Sequence, residues 1–269
     1  MSRNLVLFDM DGTLTEPRKP FASFLSSPLK QLVQVADIGI VTGSDLPLLQ
    51  EQMHSVLNDD SIRYSLHILP CNGTQYLKPP EFPSDSHISV ESQSMQDKMG
   101  KVAWRRLMEI IIGQQLKAAE LDIPLTGQFI NNRNSMINWC PIGRAAGEKE
   151  RQKFENFDRK YSFRRRVLNE LRSELVSARI DNVTVKLGGE TSFDIYPDGW
   201  DKTYSLRYFE NSTVWFVGDR AQTPKGNDYE IFKACEPRSY HTTGPKETDS
   251  IIKDIIKRIQ EEKINGLNK

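Results

Sequence analysis

Two aspartates one residue apart, Asp9-Met10-Asp11, follow directly on the apolar run Leu5-Val6-Leu7-Phe8 and precede Gly12-Thr13-Leu14. In extended chain, residues two apart point to one side, so the two carboxylates project together. Adjacent carboxylates repel, and a hard cation such as Mg²⁺ is a natural remedy. Gly12 allows the tight turn that follows. Asp and Gly also close strands as plain turn residues. The apolar run in front favours a ligand site, because open α/β sheets bind ligands beyond the carboxyl ends of their strands.

A pair of this kind works only if a sheet presents it. Leu5–Phe8, Ile38–Val41 and Leu66–Leu69 are short continuous apolar runs of the sort buried on both faces of a parallel sheet. Helical stretches at Pro28–Val35 and Leu46–Leu57 separate them, which is the pattern of a doubly wound sheet. Lys78–Ser94 is rich in Pro, Ser and Asp and reads as a linker or exposed hairpin. Beyond it the character changes. A long helix is expected over Lys98–Leu121, a hairpin over Gln128–Trp139, a broken charged helix over Glu148–Ser177, and a second hairpin over Val183–Tyr196. After Pro197 the first character returns, with a helix at Lys202–Phe209 and a buried strand at Thr213–Val217 ending in Gly218-Asp219. A helix starts at Asn227, and an amphipathic helix over Ser250–Glu262 carries Ile251, Ile252, Ile255, Ile256 and Ile259 on one stripe. The expected fold is therefore α/β, a doubly wound and mostly parallel sheet core (residues 1–83 and 197–269) with an inserted α+β cap domain (84–196).

Composition narrows the class. The chain has 269 residues with 36 Lys+Arg against 36 Asp+Glu, so the formal net charge is zero, which argues against a general nucleic-acid binder. Cys71, Cys140 and Cys235 are odd in number and far apart, and no CxxC pattern suggests zinc or a disulfide framework. No apolar run approaches the roughly 18 residues of a membrane span, and the segment before Leu5 is too short for a secretory signal. The expectation is a soluble cytoplasmic protein with no membrane partner. His54, His67, His87 and His241 are scattered and read as structural or surface residues.

Asp9-Met-Asp11-Gly12-Thr13-Leu14 resembles the first motif of the haloacid-dehalogenase phosphatase superfamily. Later segments agree in order and type. Thr42 or its neighbour Ser44 resembles the hydroxyl that binds the transferring phosphoryl group. Lys202 resembles the family lysine, and Gly218-Asp219 with Asn227-Asp228 resembles the acidic metal motif. This resemblance implies that Asp9 attacks phosphorus and that Asp11 protonates the leaving oxygen and then deprotonates the acceptor. It further implies Mg²⁺ held by Asp9, the Asp11 backbone carbonyl and Asp219, with Asp228 orienting the metal waters. Lys202 would screen the nucleophile.

Thr15-Glu-Pro-Arg18, Arg133-Asn-Ser-Met-Ile-Asn138, Pro141-Ile-Gly-Arg144, Gly226-Asn-Asp-Tyr-Glu-Ile-Phe232 and, most specifically, Gly188 to Lys202 carry a narrower resemblance, to eukaryotic-type phosphomannomutase, which runs from Leu5 to about Thr248. By position it implies that Arg18 contacts phosphate or substrate from the core, and that Arg133, Arg144 and Arg151 on the cap bind the distal phosphate. Ser192 and Asp194 would hold sugar hydroxyls or phosphate. A hexose 1,6-bisphosphate would be the primer and intermediate, and hexose phosphates the substrates. The product would feed GDP-mannose synthesis, and the enzyme would be a homodimer through the cap. The cap would move about hinges near residues 80–87 and 195–199. The chain departs from the family where Cys71 replaces a Glu before Asn72-Gly73. Two rivals are a Mg²⁺-dependent sugar-phosphate phosphatase on the same fold and a non-catalytic binding protein. Retention of both Asp9 and Asp11 disfavours the second.

Overall fold

The computed structural model describes residues 3–267. The chain forms two compact units: a core that runs up to Ser92 and resumes at Trp200, and an inserted unit, Gln93–Gly199. The first part of the core contains β1 (Arg3–Phe8), α1 (Ser26–Leu32), β2 (Asp37–Val41), α2 (Leu46–Gln52), α3 (His54–Leu57), β3 (Leu66–Leu69), β4 (Gln75–Lys78) and β5 (Ile88–Ser92). The Asp45 side chain accepts the Leu48 N–H at 3.3 Å and caps α2. The single helix expected over 46–57 is divided at Met53.

The inserted unit contains α4 (Met95–Met99), α5 (Lys101–Ala119), β6 (Ile130–Asn132), β7 (Ile137–Trp139), α6 (Glu148–Tyr161), α7 (Phe163–Ser177), β8 (Val183–Gly188) and β9 (Ser192–Pro197). Gly100 at φ 80° separates α4 from α5, and Ser162 at φ 50° makes the break in the charged helix. The core then resumes with a 3₁₀ turn (Lys202–Tyr208) where an α-helix was expected. It is followed by β10 (Ser212–Gly218), α8 (Tyr229–Ala234), β11 (Ser239–His241) and α9 (Pro245–Leu267).

The core sheet has strand order β11-β10-β1-β2-β3-β4-β5. The first five of these pair in parallel, while β3 with β4 and β4 with β5 pair antiparallel. β1 is central, and its alternate residues serve two cores. Val6 and Phe8 join Ile38, Ile40, Trp215, Val217 and the α9 isoleucines. Leu5 and Leu7 join Val41, Leu69, Phe216 and Ile231. A strand covered on both faces has no polar side, which is why Leu5–Phe8 reads as an unbroken apolar run. Each fully buried large side chain contributes about 1.5–3 kcal/mol to holding this arrangement.

The boundaries differ from the expected 83/84 and 196/197. β5 pairs with β4 and keeps the chain in the core through Ser92. At the other end, the Asp198 N–H bonds the Asn182 carbonyl at 3.0 Å, which keeps residues to Gly199 with the inserted unit.

The inserted unit has an antiparallel sheet of order β6-β7-β9-β8. Ile137, Trp139, Phe193, Ile195 and Val185 are buried, with the Trp139 and Phe193 rings stacked at 4.8 Å. α7 packs on β8 and on α5, supplying Val167, Leu171 and Leu175 to the buried side. The alternate positions are polar, and register aligns Asn131, Asn138, Asp194 and Lys186 in one row across all four strands. No helix among the described residues is long and apolar enough to cross a membrane.

Candidate active site

The core chain leaves β1 towards β2 on one side and comes back as β10 on the other. The ends of β1 and β10 therefore lie at the switch point of the sheet, where a crevice opens. Register pairs Phe8 with Val217, and the Asp9 N–H bonds the Val217 carbonyl at 2.9 Å. This sets Asp9, just past β1, beside Gly218-Asp219 at the end of β10. Gly12 (φ 83°) must be glycine for two reasons: the left-handed backbone, and the space a Cβ would need, which would lie 2.7 Å from the Asp219 Cγ. Gly218 leaves similar room for Asp228, whose Oδ2 would be 2.6 Å from a Cβ there.

Lys202 opens the 3₁₀ turn, and the Asp201 side chain caps it by accepting the Thr203 N–H at 2.8 Å. The lysine is buried and inserts its Nζ between two carboxylates, hydrogen-bonded to Asp9 Oδ1 and, at 2.6 Å, to Asp228 Oδ1. The other oxygen of Asp228 accepts the Arg220 N–H at 3.0 Å. Both oxygens of Asp228 are thus engaged by protein donors, and its evident work here is to hold the lysine.

Asp9, Asp219 and Asp228 offer oxygens that all lie within 4.8 Å of one another. Burial raises the Asp9 carboxyl well above its ordinary value; Lys202 opposes the rise, and Asp228 and Asp219 add to it. Burial, then Asp228, pushes Asp219 up to about 6 against Arg220 and Lys202. Burial alone would lower Lys202, but Asp228 and Asp9 outweigh it and hold the ammonium above its usual value. Asp219 Oδ1 is buried and has no hydrogen-bond partner. A cluster of hard oxygens with repelling carboxylates and one unsatisfied buried oxygen fits a divalent cation.

Asp11 turns elsewhere. Its Oδ1 accepts the Arg18 backbone N–H at 2.9 Å and Gln52 Nε2 at 3.2 Å, so its side chain is not among the clustered ligand oxygens. The buried Gln52 also donates to the Lys19 carbonyl at 3.1 Å. Arg18 sits at φ 59° with an exposed side chain. Thr42 and Ser44 follow β2, the parallel neighbour of β1. Thr42 is buried, with its Oγ1 accepting the Ser44 N–H at 3.1 Å.

On the inserted unit, Arg144, Ser192 and Asp194 are brought together by Asn138, to which the sequence reading gave no role. Asn138 Oδ1 accepts from Arg144 at 2.8 Å, and its Nδ2 donates to Asp194 Oδ1 at 2.7 Å and to Ser192 Oγ at 3.0 Å. Ser192 Oγ in turn donates to the Gly188 carbonyl at 2.7 Å. Gly188 accounts for part of the Gly188–Lys202 signature, since a Cβ there would lie 2.6 Å from Asp194 Oδ2. Arg133 stands in the turn after β6, its N–H bonded to the Met136 carbonyl at 2.9 Å, and Arg151 lies in α6. Asn138 had one local signal, a polar residue alternating with buried Ile137 and Trp139. Gln52 had none.

A family model described as eukaryotic phosphomannomutase matches residues 25–258. A phosphomannomutase of Arabidopsis thaliana is 37% identical over 255 residues, covering 94% of this chain and 96% of that protein. One of Drosophila melanogaster is 35% identical over 263 residues, with 94% and 95% covered. Among solved structures, an N-terminally truncated, IMP-bound IMP-nucleotidase of Plasmodium falciparum superposes with TM-score 0.62 at 15% identity, covering 95% of this chain and 68% of that one. Trehalose-6-phosphate phosphatase of Aspergillus fumigatus gives 0.52 at 16%, covering 95% and 93%. At such identities the structures speak for a shared haloacid-dehalogenase-like fold alone.

Proposed function

The chain belongs to the eukaryotic phosphomannomutase family, and from that membership we propose that it interconverts mannose 6-phosphate and mannose 1-phosphate through a phosphorylated Asp9 and a hexose 1,6-bisphosphate. The observation that carries this reading is that the family match, residues 25–258, spans the whole inserted unit as well as most of the core. A sugar-phosphate phosphatase on the same fold needs the core chemistry but no second anion site. The joined Arg144, Asn138, Ser192 and Asp194 group supports the mutase.

Asp9 acts as the nucleophile: its oxygen bonds to phosphorus as the sugar oxygen leaves. Asp11 donates a proton to that oxygen and removes one from the accepting hydroxyl in the reverse transfer. Gln52 and the Arg18 N–H hold the Asp11 carboxyl for this task. Lys202 fixes Asp9 and screens its charge. Asp9 and Asp219, with the Asp11 carbonyl, are the groups that would hold Mg²⁺. That ion supplies charge neutralisation, allowing the carboxylates to ionise together and drawing charge from the phosphoryl oxygens. Thr42 and Ser44 bind the transferring group, and Arg18, Arg133, Arg144 and Arg151 bind the substrate's anionic ends, where a planar fork suits phosphate. The bisphosphate must turn end for end between transfers.

A homodimer through the inserted unit, a cytoplasmic location and a product used for GDP-mannose belong to the same reading. Ile112 and Leu116 of α5 and Val176 of α7 are exposed apolar side chains that such an interface would cover. The test is to supply mannose 1-phosphate with a catalytic amount of hexose bisphosphate and measure mannose 6-phosphate and released phosphate together. Isomerised sugar phosphate in excess over phosphate is expected; phosphate alone would establish the phosphatase instead.

A further inference from the structure

The turn after β3 takes no part in the chemistry above, yet it is the one place among the described residues where three consecutive residues have positive φ. Cys71 (φ 51°), Asn72 (φ 63°) and Gly73 (φ 84°) are consecutive left-handed residues, and all three are buried. Glycine adopts this conformation readily, Asn tolerates it, and Cys does so rarely. Such strain persists only where the surroundings over-determine it.

The surroundings here are the two segments that flank the nucleophile. On one side, the Cys71 N–H bonds the Ser44 carbonyl at 2.9 Å and the Asn72 N–H bonds the Thr42 carbonyl at 2.8 Å. On the other, Asn72 Nδ2 donates to the Trp200 carbonyl at 3.1 Å, and Tyr208 Oη donates to the Gly73 carbonyl at 3.1 Å. Gly73 packs so closely on the 3₁₀ turn that a Cβ there would lie 2.6 Å from the Ser205 Cβ. Ser205 Oγ returns to the Lys202 carbonyl at 2.7 Å. The strained turn is therefore bonded both to the Thr42–Ser44 loop and to the turn that carries Lys202.

We propose that Asn72 is a positioning residue for Lys202: by holding the Trp200 carbonyl, two residues ahead of the lysine, its side-chain amide fixes where the ammonium meets Asp9 and Asp228. Lys202 is buried and wedged between both carboxylates, so a small displacement of its turn moves the ammonium directly against the nucleophile. This inference rests on the assignment of Lys202 to phosphoryl transfer.

Two substitutions separate the side chain from the backbone. Asn72→Gly keeps the left-handed conformation and removes the amide. Asn72→Asp keeps the shape and removes the donor. In the full chain with Mg²⁺, both are expected to lower kcat about ten- to a hundredfold, as a misplacement on the order of 1 Å does. KM should stay near wild type, while the melting temperature falls by a few degrees, because the Trp200 carbonyl loses a buried donor. Wild-type kcat in Asn72→Gly would overturn the proposal, because the residue would then matter only for its backbone. A loss of kcat matched by an equal or larger rise in KM would overturn it equally, as general loosening of the site. If a variant melts early, kcat is taken well below its melting point, where the same two outcomes decide. Absence of isomerisation by the wild-type protein would defeat the mutase reading instead. Hydrolysis of a small aryl phosphate, which also needs Lys202, would then still test Asn72.

Discussion

Lys202 Nζ stands 2.6 Å from Asp228 Oδ1, and neither side chain reaches solvent. One buried cation thus serves two buried carboxylates, since the same Nζ also holds Asp9. Removing one partner of a buried ion pair is far costlier than the pair's net worth, because the remaining charge is left uncompensated. Lys202→Met should therefore lower stability by about 3–5 kcal/mol as well as abolish turnover. Asp228→Asn leaves Lys202 bonded to Asp9 and should cost less. Urea denaturation alongside kcat checks the order; equal stabilities for the two variants would contradict it.

Asp9 is the only group proposed to carry phosphate. Asp9→Asn should reduce kcat by a factor on the order of a thousand or more while leaving substrate binding within severalfold. Labelled hexose bisphosphate should transfer no label to the variant. Labelled protein recovered in acid from Asp9→Asn would move the nucleophile elsewhere.

Asn138 and Arg144 share a 2.8 Å hydrogen bond within the group proposed to receive the sugar's far end. Arg144→Ala should raise KM for the bisphosphate about tenfold to a hundredfold, the loss expected of a charged hydrogen bond, and leave hydrolysis of a small aryl phosphate nearly unchanged. Equal losses on the two substrates would make Arg144 a folding residue.

Asp219 titrates at about 6, above its value in an unfolded chain. Between those values the folded state binds the extra proton. In metal-free protein this contribution to stability is therefore full at the acid end and lost as pH rises through about 6. Mg²⁺ should raise the melting temperature more at pH 7.5 than at pH 5, for at the lower pH it competes with that proton. Thermal unfolding with and without Mg²⁺ at the two pH values checks this, and Asp219→Asn should shrink the difference. An equal gain at both would sink it.

The Asp9–Asp11 pair was legible because an apolar run announced the strand before it, but the two-residue period did not carry past Phe8, where β1 ends: the Asp11 side chain bonds the Arg18 N–H and Gln52 and does not join the Asp9 cluster. Lys202 and Asp219 were legible by resemblance, each at the edge of an element. The three amides that support these groups were not. Gln52 reaches Asp11 across 41 residues, Asn138 reaches Ser192 across 54, and Asn72 reaches Trp200 across 128. An amide side chain carries no periodic or charge signal, so its task exists only once the fold supplies the partner. The first boundary was misplaced for a related reason. β5 is an edge strand with no fully buried residue, and its sequence lacks the apolar signature of the strands at the sheet centre.

The two cores that share β1 set an order of events on the ribosome. The strand that leads into Asp9 is synthesised well before its neighbour β10, which begins only at Ser212, and Lys202, Asp219 and Asp228 all follow the inserted unit. A nascent chain can pair β1 with β2 and β3 early, yet one edge of β1 stays open until the whole inserted unit has been made. The inserted unit, continuous in sequence, can fold in the meantime as domains do during synthesis. The proposed phosphoryl chemistry therefore has to wait: a growing chain that stops short of Lys202 lacks the cation that restrains Asp9, so the buried cluster of Asp9, Lys202, Asp219 and Asp228 comes together only after the inserted unit has been made.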